Sequence, residues 1–203
     1  MKNFGIWLIR IALVLFVLGL FFGHLASESY RITQPKSGVM GFLSLRPLHV
    51  SSAYLGIITA GLAFVTLIIA KMKTTRFGTF LQHLHFSLWV IALLGIFYSY
   101  FTGDFGGREY WEFNPVWALP IFVSFIVFLV FYLHQVGFSM KWPVYYWMWL
   151  TGIIFFIFTF IEKSFEFHLD RKLELIQKQI NEMFERETAE QNLDKILVEN
   201  EQQ

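Results

Sequence analysis

Six histidines and no cysteine define the chemistry open to this chain. Without a thiol there is no disulfide, no cysteine-held zinc or iron–sulfur cluster, no covalent c-type haem and no thiol nucleophile. Metal and proton chemistry therefore falls to His24, His49, His83, His85, His134 and His168. Carboxylates are sparse: none occurs between Glu28 and Asp104, or between Glu112 and Glu162. A short acidic group, Asp104, Glu109 and Glu112, separates these two stretches, beside Gly106 and Gly107.

The elements that must position these groups are membrane helices. Of 203 residues 56% are apolar and 15% charged, against about 25% charged in soluble domains. The 25 Phe, 8 Tyr and 7 Trp would leave sticky patches in water. A helix needs about 20 mostly apolar residues to cross the hydrocarbon core, and five such runs occur, roughly 8–25, 50–70, 84–101, 116–136 and 144–161. Breaks fall at Lys71 to Arg76, Gly103 to Arg108, and Lys141-Trp142-Pro143. The expected fold is all-α, an integral membrane bundle of five transmembrane helices over 1–162, with a C-terminal amphipathic extramembrane helix over 163–203. The apolar stretch from Phe4 to Leu25 is too long for a signal-peptide core of about 7–15 residues.

Loop charge sets the orientation. With the N-terminus cytoplasmic, Lys2, Arg10, Lys71, Lys73, Arg76 and Lys141 lie inside and Arg31, Lys36, Arg46 and Arg108 outside. Five spans then put the tail outside. Residues 1–161 carry ten Lys/Arg against four acids, and 162–203 six against eleven. On this topology His24, His49 and His168 share the outer side and His83, His85 and His134 the inner. At 1.5 Å rise per residue, roughly 25–30 Å separates His49 from His85, so no single metal in one chain bridges the groups. His83 and His85 point to different helix faces. Taken alone, an interfacial histidine is read as a snorkelling polar group. Spans without carboxylates or an inverted repeat make a proton-driven pump or transporter unexpected. Trp142, Tyr145, Tyr146, Trp147 and Trp149 read as an interfacial belt.

The run Leu43-Ser44-Leu45-Arg46-Pro47-Leu48-His49 resembles the start of the second transmembrane helix in the large subunit of haem–copper oxidases, specifically the cbb-type oxidases and nitric oxide reductases. There an Arg-Pro-Leu-His run gives an axial ligand to low-spin haem b. Gly107-Arg108-Glu109-Tyr110-Trp111-Glu112-Phe113 resembles the acidic outer loop of the same subunits, where a glutamate near the haem propionates helps to bind calcium. The resemblance covers roughly 1–162, the first five helices of a subunit that normally has twelve or more. It implies haem b held by the His49 imidazole, Arg46 beside a propionate, and calcium at Glu109 and Glu112. The family's oxygen and nitric oxide chemistry uses histidines from later helices, so complete catalysis is not expected of these helices alone. Pro47 is expected in the helix's first turn, where its missing N–H costs nothing. For the second axial ligand, His24 or a histidine of a partner chain is preferred to His168.

Two function classes follow: a haem-bearing electron-transfer component of a respiratory oxidase or nitric oxide reductase-like complex, and a haem-free structural or assembly subunit. Expected partners are other membrane subunits or a second copy, within the lipid bilayer of a bacterial inner membrane; nucleic acid is not one. In the tail, Leu169, Leu173, Ile176, Ile180 and Met183 repeat at heptad spacing. A helix to about Arg186 is expected, with Thr188 capping a second short one.

Overall fold

The computed structural model describes residues 2–31, 41–70, 72, 75–108, 111–137 and 139–201. In chain order these form α1 (Lys2–Arg31), α2 (Phe42–Ile69), α3 (Arg76–Thr102), β1 (Phe105–Arg108), β2 (Trp111–Phe113), a 3-10 turn (Pro115–Trp117), α4 (Ala118–Val136) and α5 (Val144–Glu201). Among the described residues, five helical segments are long and apolar enough to cross a membrane: Phe4–Arg31, Phe42–Ile69, Arg76–Thr102, Pro115–Val136 and Val144–Glu162. This is an all-α integral membrane fold. Its outward faces carry apolar side chains such as Val17, Leu20, Leu94 and Leu119, which are exposed because lipid is their solvent.

The chain divides into two compact units, Met1–Phe158 and Thr159–Gln203. In the first, α1 lies antiparallel along α2: Gly5 meets Leu67 at one end and Gly23 meets His49 at the other. A Cβ on Gly5 would stand 2.6 Å from the Leu67 side chain, so bare glycine lets the two backbones approach, as small residues do between membrane helices. α3 runs antiparallel to α4, with His85 against Ser124 and Trp89 against Phe125. Hydrogen bonds join α3 to α2: Ser51 Oγ and Tyr100 Oη are 2.6 Å apart, and Trp89 Nε1 donates to Thr59 Oγ1 at 3.0 Å. The core these pairs stitch together includes Leu48, Ala63, Trp89, Ile96, Phe131 and Tyr132, all fully buried.

Helix ends follow local chemistry. Thr75 caps α3 by accepting from the Gly78 N–H at 3.0 Å, and Gly103 ends it at φ 76°, a conformation that glycine adopts without a Cβ penalty. Gly103 leads into β1, which pairs antiparallel with β2. This hairpin was not expected from the sequence; its strands of four and three residues are too short for alternation to show. In the second unit, α5 runs unbroken to Glu201, without the expected interruption near Thr188. No Gly or Pro stands between Gly152 and the end of the chain, and Glu, Lys, Gln and Leu are all good helix formers. Leu173, Ile176 and Met183 of the heptad run are exposed.

Candidate functional site

α2 begins at Phe42, earlier than the apolar run alone indicates. Pro47 therefore lies inside the helix, not in its first turn as expected, and has no N–H to offer the carbonyl four residues back. His49 follows two residues later, partly buried against α1.

Its imidazole sits over Gly23, where an added Cβ would lie 2.6 Å from Nδ1. Nδ1 is 2.7 Å from the Gly19 carbonyl oxygen. A carbonyl only accepts, so Nδ1 carries a proton, and in the neutral ring Nε2 keeps its lone pair. Nε2 has no hydrogen-bond partner among the described residues. Metal-binding histidines use this arrangement, one ring nitrogen donating to a backbone oxygen and the other free to coordinate, and His83 shares it, with Nδ1 2.7 Å from the Thr79 carbonyl oxygen.

His24 is not brought to the same place. It follows Gly23 by one residue, about 100° around the helix, and is exposed on α1. His24 thus stands on a different face of α1 from Gly23, on which the His49 ring sits. His168 lies in the second unit, and its side chain lies outside the described residues.

Arg46 donates through Nη2 to Glu112 Oε1, joining α2 to β2. The Glu112 side chain is 13% exposed and that of Arg46 46%, so the carboxylate is the more sheltered partner. Neither side chain was expected to face the other. Both are the charged groups closest to the ends of neighbouring spans on one side, a signal the sequence did hold. Beside them Asn114 Nδ2 donates to Asp104 Oδ2 at 2.5 Å. Glu109 lies outside the described residues, and among those described no group of three or more His, Asp or Glu residues could hold a metal ion. Glu112, one of the two carboxylates expected at a calcium ion, is engaged by arginine.

At the other end of the bundle, Thr75 Oγ1 and His134 Nε2 are 2.7 Å apart, and His83 Nδ1 donates to the Thr79 carbonyl oxygen at 2.7 Å. Both histidines thus act as hydrogen-bonded polar groups, the bland role expected for them. His85 differs: it is 2% exposed, inside the helix packing and not at a membrane surface. An apolar groove of about 270 Å³ between α2, α4 and α5, walled by Gly61, Phe64, Phe125, Phe128, Trp149 and Gly152, has no histidine in its lining. No protein-family model, curated protein or solved structure matches this chain.

Proposed function

We propose that this protein is a haem-b-binding membrane component of a respiratory complex of the cbb-type oxidase or nitric oxide reductase kind, serving electron transfer and not complete catalysis. The observation that supports it is the His49 imidazole, oriented by the Gly19 carbonyl at 2.7 Å with Nε2 available to iron. Bound haem would supply one-electron redox chemistry. His49 would hold the iron, Gly19 would fix the tautomer and ring plane, and bare Gly23 would leave room for the ring. Arg46 engages Glu112 through one terminal nitrogen and has further N–H donors for a propionate. The second axial ligand would come from another membrane subunit or a second copy. Calcium at Glu109 and Glu112 belongs to the same resemblance and competes with Arg46 for the Glu112 carboxylate; a chelator that leaves thermal stability unchanged removes it from the proposal. The setting proposed is a bacterial inner membrane, with a cytoplasmic N-terminus and an external tail.

The test is a spectrum. Protein purified with its membrane partners after haem-supplemented expression should show a b-type absorbance, abolished in His49→Ala and retained in His24→Ala. No absorbance in the parent protein sinks the reading, and a change from six- to five-coordinate haem in His24→Ala returns the second ligand to this chain. A haem-free structural subunit is the second reading, favoured by the Arg46–Glu112 pair, which gives the His49 region a purely architectural role. It predicts that His49→Ala leaves the partner complex assembled and fully active.

A further inference from the structure

Gln82 and His85, three residues apart on α3, are each 2% exposed. Gln82 Nε2, Gln82 Oε1 and His85 Nε2 are buried with no hydrogen-bond partner among the described residues. Residues at this spacing share a helix face with Cβ atoms about 5–6 Å apart. The opposite edge of the His85 ring is engaged: Nδ1 lies 3.1 Å from the Ser124 carbonyl oxygen and 2.8 Å from Ser124 Oγ. Phe128 packs on the ring at 4.6 Å between centroids. Ser124 thus uses Nδ1 and leaves Nε2 unpaired.

Inside a bilayer no bulk solvent reaches such groups, and polar atoms must be satisfied locally. The occupant must both donate and accept: the amide offers N–H donors and a carbonyl acceptor, and the imidazole nitrogen one further position. No carboxylate lies between Glu28 and Asp104 or between Glu112 and Glu162 to balance a cation. Water fits, since a buried water takes two to four polar partners and three are offered here. We propose that Gln82 and His85 form a water-binding site within the membrane bundle, so that the Gln82 amide, the bound water, the His85 imidazole and Ser124 make one hydrogen-bonded chain from α3 to α4. The site is remote in sequence and in helix position from His49 and does not depend on haem binding.

Solid-state NMR of the ¹⁵N-histidine-labelled full chain in lipid nanodiscs tests it. Magnetisation should pass from water protons to one buried imidazole nitrogen, assigned to His85 by its loss in His85→Phe or its displacement in Gln82→Met. Gln82→Met, which keeps the volume but removes both amide atoms, should lower the thermal midpoint by about 3–6 °C, since the water loses two partners. A dry pair of unpartnered groups would behave oppositely, because methionine then removes a buried penalty. No water transfer to any buried imidazole, or a midpoint in Gln82→Met unchanged or raised, overturns the proposal.

Discussion

Arg46 and Glu112, separated by 66 positions, show how little a charge reveals about its partner until the helices are placed. Read singly, arginine suggested a propionate and glutamate a calcium ion; in space the guanidinium meets the carboxylate. The pair is favourable because Glu112 is sheltered, and a charge-assisted hydrogen bond to a sheltered carboxylate is worth more than an exposed pair. Glu112→Gln should lower stability by about 1–2 kcal/mol. In a double-mutant cycle with Arg46→Gln, the second substitution should cost little once the first is made. Additive losses in thermal unfolding would show that the two charges do not act as a pair. Tyr100→Phe removes the hydroxyl bonded to Ser51 at 2.6 Å and should cost about 1 kcal/mol, readable in the same assay.

Helices were more legible than their partners. Length and apolarity located all five spans to within a few residues at most ends, because a helix in lipid must satisfy its own backbone and therefore declares itself locally. What escaped was contact between elements: the short β1–β2 hairpin, the burial of His85 and Gln82, and the seating of Trp117 on α3. Trp117 packs over Gly95 so closely that an added Cβ would collide with the indole ring. Gly95→Ala should displace Trp117 and cost about 1–3 kcal/mol, with a red shift and loss of intensity in tryptophan emission as the indole leaves its seat. An unaltered emission spectrum with unaltered stability would mean that α3 and the 3-10 turn can separate freely. Pro47 carries a further lesson: proline punctuation in the sequence suggested a helix start, yet α2 begins at Phe42, more than one turn further back.

At the scale of the whole molecule, Met1–Phe158 is a compact unit by itself. A chain ending after Glu162 keeps all five candidate spans and should unfold within a few degrees of the full-length protein. A collapse in its thermal midpoint would show that the tail is needed to fold the bundle. The candidate site was half legible: His49 stood out by its neighbours in sequence, whereas the Gly19 carbonyl and Gly23 that seat it lie 30 and 26 positions away, and no local pattern marks them. The pairing of helices also has a consequence for biogenesis. α1 with α2, and α3 with α4, are each a pair of sequence neighbours, so each can form as the ribosome delivers it. The Arg46–Glu112 bridge and the Ser51–Tyr100 and Thr59–Trp89 hydrogen bonds join one pair to the other and must wait for α3. Insertion should thus proceed by hairpins, with the ion pair closing after α3 has crossed and β2 has emerged, which makes it a late marker of correct topology in the nascent chain.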